Sequence, residues 1–268
     1  MCVLVLLCCQ LKSDDLVYLL IQEIIAKIES GCGYQQSLPY LSLIGQLLQT
    51  IPALAPTLAQ HGDSLLDYLV SGLASPSEDV KTSIVFLLAR LLGPLHENDI
   101  YPQLSVQITH AILAILSSAK SLELQTNGIG LLRRLLEIKE LTLLLMRPDT
   151  QPSFSSVMKK ILLNRNEVLQ ISCVQCISQV VVQDSLEIGY SGPSHTQALL
   201  QEDMAEFLFE ALSTTNDLML GSIFCCLLLL SKHETFFTKC HTVYGIEAIV
   251  RTLQNCQKIS CTDTLTQG

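Results

Sequence analysis

Three cysteine-bearing stretches are the places where this chain could do chemistry: Cys173-Val174-Gln175-Cys176, Cys225-Cys226 and Cys240-His241. A CxxC spacing supplies two thiolates from one tight turn, and two further Cys or His ligands would complete a tetrahedral zinc site. A cysteine beside a histidine also has the residue types of an activated nucleophile, in which the imidazole takes the thiol proton. Both readings require the residues to converge in space. Adjacent residues usually point apart, which weakens Cys240-His241 as a pair acting on one substrate. The remaining histidines, His61, His96, His110, His195 and His233, are scattered and form no ligand pattern. No GxGxxG, P-loop, HExxH or GxSxG motif is present.

The elements that must carry these cysteines decide between chemistry and packing. Of the 268 residues 49% are hydrophobic and only 15% charged, which implies an extensive interior. Leucine is abundant, Trp is absent and aromatics make up 5%, a bias that favours helix on helix over strands. Four segments share one layout, an apolar helix, a short polar break and a second helix ending in a dense aliphatic cluster. They read LLDYLVSGLASPSEDVKTSIVFLLARLL, ITHAILAILSSAKSLELQTNGIGLLRRLL, VMKKILLNRNEVLQISCVQCISQVVV and MAEFLFEALSTTNDLMLGSIFCCLLLL.

Anchored on an apolar residue near the start of each second helix, the segments register at Val80, Leu124, Leu169 and Leu218, spaced 44, 45 and 49 residues apart. HEAT and armadillo units recur every ~40–47 residues. Seven residues past the anchor stand Leu87, Leu131, Cys176 and Cys225; eleven past stand Leu91, Leu135, Val180 and Leu229. Both columns are apolar throughout, as a helix face requires. Four past the anchor come Ile84, Gly128, Cys173 and Ser222, mostly small, which predicts close helix contact. The fold expected is therefore all-α, an armadillo/HEAT-like helical-repeat solenoid with a repeat of about 45 residues.

The expected organisation is a single solenoid over 1-268, with N-terminal helices in 1-62 (14-29, 36-50 and 51-60, the first capped by Ser13). Repeat units follow at 63-92, 101-138, 153-184 and 201-232, then the first helix of a further unit at 242-257 and a flexible tail at 258-268. Ser75-Pro76-Ser77-Glu78 reads as a capping box, and breaks fall at Gly93-Pro94, Arg147-Pro148 and Gly189 to Pro193. Ile246, Ile249, Val250 and Leu253 form a stripe that should lie against a following unit. A fragment of a longer protein is expected. The opening MCVLVLLCCQLK lacks a positive n-region and a small-x-small cleavage site and is too short to cross a bilayer, so it reads as a helix from a larger chain.

In this register the cysteines fall in core columns, where free cysteine packs as a small hydrophobe. No metal site, no cofactor and no enzyme activity is expected. Cys240 falls in the joint between units, where Pro102, Met146 and Ser191 stand in the other repeats. Phe236 and Phe237 would close the preceding core, His241 would sit near the next helix's entrance, and Gly245 would allow that helix a close approach. The two LxxLL sequences, Leu88 to Leu92 and Leu132 to Leu136, place their leucines in the same core columns. Ten past the anchor, Arg90, Arg134 and Gln179 form a polar row, either solvated or a grip for an acidic or helical segment of a partner.

A formal net charge of -9, without a basic run, disfavours direct nucleic-acid binding. Eleven cysteines, an odd number without a compact framework, fit a reducing compartment such as cytosol or nucleus. No membrane and no small-molecule substrate is expected; the expected partners are other proteins.

The stretches LASPSEDVKTSIVFLLARLL, LELQTNGIGLLRRLLE, VMKKILLNRNEVLQISCVQCI and EFLFEALSTTNDLMLGSIFCCLLLL, followed by FFTKCHTVYGIEAIVRTLQ, resemble the meiosis inhibitor protein 1 family of vertebrates. The resemblance runs from about Leu65 to Gln257 and is most specific over Phe236 to Gln254. It implies an armadillo-like, non-enzymatic nuclear factor needed in germ cells for meiotic double-strand break formation, chromosome pairing and synapsis. Its partners would then belong to the break-forming machinery, and no site residue is carried over. Without the resemblance, a generic armadillo-type adaptor in cytoplasmic signalling or transport fits the residues equally.

Overall fold

A computed structural model describes residues 14–30, 33–61, 63–92, 102–186 and 194–266. Ser13, the Met1 to Lys12 stretch and the breaks at Gly93-Pro94 and Gly189 to Pro193 lie outside these residues. Among the described residues every regular element is a helix, and the fold is an all-α helical repeat of the armadillo/HEAT kind. The chain divides into two compact units, Met1–Leu145 and Met146–Gly268.

The first unit holds α1 (Asp14–Glu29), α2 (Tyr34–Thr50), α3 (Leu54–His61), α4 (Asp63–Gly72), α5 (Glu78–Leu91), α6 (Pro102–Ser118), α7 (Leu122–Leu135) and α8 (Lys139–Leu145). A full repeat runs through a short leading helix, a second helix and a third helix, here called leading, second-type and third-type; the third-type helices α2, α5 and α7 of this unit stack in succession, with the second-type helices α4 and α6 packed against them. The second unit holds α9 (Phe154–Leu162), α10 (Glu167–Leu186), α11 (His195–Gln201), α12 (Met204–Ala211), α13 (Asp217–Leu230), α14 (Glu234–Thr242) and α15 (Gly245–Thr266). There α13 stacks on α10, while α9, α12 and α15 form the neighbouring layer.

Four of the third-type helices, α5, α7, α10 and α13, start the same way, whereas α2 is preceded by Gly33 and has no side-chain cap. Ser77, Ser121, Asn166 and Asn216 accept the backbone N–H of Val80, Leu124, Leu169 and Met219 at 3.5, 3.1, 3.1 and 3.1 Å. Such a cap satisfies an amide that has no partner inside the helix. Ser77 therefore caps α5 in place of the expected Ser75. Ser75 instead accepts the Ser77 N–H at 3.3 Å, and Asn164 and Thr214 do the same for Asn166 and Asn216 at 3.0 and 3.1 Å.

The caps also correct the register of the fourth repeat by one residue. The anchor is Met219, 1% exposed, while Leu218 is 76% exposed. With Met219 as anchor, the columns four, seven, eight and eleven residues on hold Ile223, Cys226, Leu227 and Leu230, all buried, matching Ile84, Leu87, Leu88 and Leu91. Gly128 earns its place in the small column: a Cβ there would stand 2.7 Å from Leu116 Cδ2.

Glu78 does not close a capping box. Its two carboxylate oxygens accept the Lys120 and Ser121 N–H groups, each at 3.0 Å, at the start of the next third-type helix. Ala119, two residues before the Ser121 cap, has no side chain that could accept that amide, and Glu78 supplies the acceptor. Those two backbone bonds hold the Glu78 carboxyl below its usual range. Glu167 occupies the same place on α10 and receives the Thr214 hydroxyl at 3.4 Å and the Asn216 Nδ2 at 2.8 Å. In both units an acid at the first residue of one helix clasps the cap of the next.

The stretch around Cys240 is a helix, α14, and not the joint expected from the sequence. Phe236 closes the core at 4% exposed, but Phe237 is 59% exposed. Short leading helices α8, α11 and α14 belong to the three-helix armadillo pattern. Tyr244 (φ 53°) and Asp203 (φ 60°) sit in the left-handed region at the corners that launch α15 and α12, a conformation that disfavours a residue with a Cβ by ~1–2 kcal/mol. Lys239 on α14 ties that helix to the start of α12, bonding Asp203 and reaching Glu206 at 3.3 Å.

Candidate protein-binding groove

The rows three, six and ten residues past each anchor face away from the core columns. In the first unit they read Ser83, Phe86, Arg90 on α5 and Asn127, Gly130, Arg134 on α7. An open groove of about 290 Å³ runs between α2, α5 and α7, with Gln46, Gln49, Ser83, Phe86, Glu123 and Asn127 on its walls. Gly45 on α2 forms part of the same wall because a Cβ there would stand 3.0 Å from the Phe86 ring. The absence of that carbon lets the ring approach α2. Asn127 donates to the Thr82 carbonyl at 3.4 Å and so fixes the α7 wall against α5.

Arg90 is exposed, and its guanidinium lies 5.0 Å from the centroid of the Phe86 ring. The i, i+4 spacing places cation over ring, an interaction of about 0.5–1 kcal/mol at an exposed site. Arg134 holds the matching place on α7, exposed and paired with Glu137 at 3.2 Å. An exposed pair of this kind contributes little stability, ~0–1 kcal/mol, and exchanges partners readily. Gln179, the third member of the row, belongs to the second unit, half-buried on α10. Two of the three candidate residues thus stand at matching positions on successive stacked helices, and Arg90 lies over the groove residue Phe86, while the groove walls themselves are formed by other side chains. The sequence reading missed Phe86, although an aromatic four residues before an arginine on a helix is a signal for such stacking.

Four of the five cysteines whose side chains are described pack in the interior. Cys173, Cys176 and Cys226 are 0% exposed and Cys240 is 1% exposed; Cys225 faces solvent. Cys226, not Cys225, fills the column of Leu87. The Cys173 thiol donates to the Met158 carbonyl at 3.3 Å. Burial pushes its pKa well above the ordinary thiol value; it raises Cys226 to about 12 and, with the nearby Glu206 charge, Cys240 to about 11. A thiolate is the reactive form, so these side chains are poor nucleophiles near neutral pH. His241 is exposed while its neighbour Cys240 is buried, so the two side chains leave the helix in different directions. Among the described residues no group of three or more His, Cys, Asp and Glu is placed to hold a metal ion. No described helix is long and apolar enough to cross a membrane.

These thiols have a measurable pH signature. Alkylation mapped by mass spectrometry is expected to modify Cys225 rapidly and Cys173, Cys226 and Cys240 only slowly at pH 7 to 9. Because their folded pKa values are raised, the folded state retains protons that the unfolded chain has lost above about pH 8.5. The stability associated with Cys226 and Cys240 is complete below that pH and is lost as pH rises toward about 12 and about 11, and Cys173 acts in the same direction. Stability that stays flat from pH 8.5 to 10 would contradict the burial of these groups.

A family model described as the meiosis inhibitor protein 1 N-terminal domain matches residues 1–268. Meiosis inhibitor protein 1 of Mus musculus is 37% identical over 246 residues, covering 87% of this chain and 19% of the mouse protein. The Homo sapiens protein of the same name is 34% identical, covering 99% of this chain and 21% of its own length. The chain spans about a fifth of the length of these curated relatives. Among solved structures, an engineered protein superimposes with a TM-score of 0.66 at 10% identity, covering 86% of this chain and 89% of its own. A designed armadillo repeat protein in complex with the peptide (KR)4 does so with a TM-score of 0.55 at 15% identity, covering 79% and 91%. At such identities the structural likeness speaks for the fold.

Proposed function

Since the chain belongs to the meiosis inhibitor protein 1 family, we propose that it is a helical-repeat scaffold without chemistry of its own, which binds other proteins during meiosis. Within that role it serves meiotic double-strand break formation in the nucleus of germ cells, and through it homologous pairing and synapsis. The observation that carries the binding reading is the first-unit groove with Phe86 on its wall, together with the exposed arginines of the same row, Arg90 over the Phe86 ring and Arg134 at the matching position on α7. Aromatic and arginine side chains are the types that most often anchor protein interfaces. A polypeptide segment with acidic residues spaced to reach successive helices suits this arginine row; a designed armadillo repeat protein of similar fold is in complex with a peptide of the opposite charge, (KR)4. The net charge of -9 argues against nucleic acid as the direct ligand.

Affinity purification from meiotic germ cells tests the reading. The wild-type chain is expected to recover meiotic chromosome proteins, and the double variant Arg90→Glu with Arg134→Glu to recover them at least about tenfold less, since reversing rim charges turns attraction into repulsion. Recovery of cytoplasmic trafficking factors alone would replace the meiotic reading with that of a cytoplasmic adaptor. Unchanged recovery with the double variant would remove the groove from the interface. Germ-cell immunofluorescence with a purely cytoplasmic signal would overturn the nuclear assignment.

A further inference from the structure

The second unit carries a third-type helix face that none of the described residues covers. On α5 the residues at −2, +2, +5 and +9 from the anchor, Glu78, Thr82, Val85 and Ala89, lie under α7. On α10 the same positions, Glu167, Ile171, Val174 and Ser178, lie under α13. On α13 they are Asp217, Gly221, Phe224 and Leu228. Here Leu228 is 70% exposed, and a Cβ built on Gly221 meets no atom within 4 Å. Val85 and Val174, by contrast, are 0% exposed.

Two independent features say what fits. Asp217 is the first residue of its helix, the place from which Glu78 and Glu167 each clasp the cap of the following third-type helix. Among the described residues its exposed carboxylate has no hydrogen bond or ion pair. Next, α15 already packs beside α12 in the second-type layer, yet Ile246, Val250 and Leu253 on it are 56, 46 and 49% exposed. The equivalent apolar residues of α9, Val157 and Ile161, are 1% and 4% exposed because α10 covers them. The uncovered surface is therefore a helix-sized seat with a carboxylate at one end and aliphatic side chains on two sides.

We propose that this seat receives one further third-type helix, begun by a Ser, Thr or Asn cap on Asp217 and supplied in cis by the polypeptide that follows this region in family members about five times its length. Its apolar and small residues would recur at the third, seventh, tenth and fourteenth positions after the cap, the spacing of the anchor columns in α5, α7, α10 and α13. Aspartate is one methylene shorter than glutamate, so the cap must approach α13 more closely than Ser121 approaches α5. The exposed glycine at residue 221 leaves room for that approach.

The test uses the protein expressed from its own gene, with Leu228 replaced by the photocrosslinking residue benzoyl-phenylalanine. Irradiation is expected to give an intramolecular product joining residue 228 to a peptide C-terminal to residue 268. Asp217→Ala in the same background is expected to lower its yield several-fold. The same crosslinker at Leu163, 63% exposed and off this face, controls for nonspecific capture and is expected to give no such product. A crosslink from residue 228 to a separate protein, to a second copy of the chain, or to nothing would overturn the proposal. Undiminished yield with Asp217→Ala would overturn the clasp. None of these outcomes bears on the Arg90 and Arg134 groove, which is tested separately.

Discussion

Met219→Ala is expected to destabilise the chain by about 2–5 kcal/mol, and Leu218→Ala to change stability by no more than ~0.5 kcal/mol. The contrast follows from the caps. Asn216 accepts the Met219 N–H at 3.1 Å and thereby fixes which side of α13 turns inward. Met219 is then 1% exposed and its neighbour 76% exposed. Truncating a buried side chain removes its transfer energy and leaves a cavity that its surroundings only partly fill. Urea denaturation of the two variants reads the difference directly. A large loss with Leu218→Ala and none with Met219→Ala would move the fourth repeat back to the register that hydrophobic pattern alone suggests.

Gly245→Val carries the second large effect, an expected loss of about 1–3 kcal/mol from overpacking. A Cβ at this position would stand 2.7 Å from two atoms of the Phe209 ring. That ring cannot easily yield, being 6% exposed with the Phe236 ring centroid 5.9 Å away. The close approach of α15 to α12 therefore depends on hydrogen at residue 245. In a Phe209→Leu background the same substitution is expected to cost less, since the obstructing ring is gone, and a double-mutant cycle measures that coupling. Equal losses in both backgrounds would place the strain elsewhere.

The legible parts of the fold were those where apolar spacing was periodic. Helix α1 spans the expected 14–29, and the anchors at Val80, Leu124 and Leu169 are buried. The fourth register slipped because Leu218, Met219 and Leu220 are all apolar and Leu227 to Leu230 is a continuous run, so composition gives α13 no preferred face. The cap three residues before each anchor held the missing information: Ser, Ser, Asn and Asn align only if Met219 is chosen. Helix α14, ETFFTKCHT, looks like a joint in the sequence because nine mostly polar residues are too short to show a helical period. Reading Ser75 to Glu78 as a capping box used a local rule, whereas the actual Glu78 partners lie 42 and 43 residues away. The groove was half visible. Arg90 and Arg134 follow from the repeat, but the gap at Gly45 that admits Phe86 exists only once α2 is stacked on α5.

The clasps of Glu78 and Glu167 have a mechanical consequence. They join α5 to α7, and α10 to α13, by directional bonds at their starting ends and leave non-directional apolar contact along the rest of their length. Aliphatic surfaces can slide by fractions of an ångström at little cost, while a carboxylate holding a cap cannot. Bending is thereby confined to a fan-like opening about the clasped edge. Pulling on either unit should spread the far ends of α5 from α7, or of α10 from α13, before it separates their starts. Protonating Glu78 would release its pivot, so the α5–α7 stack should soften as pH falls through the lowered Glu78 pKa, with stiffness complete at neutral pH.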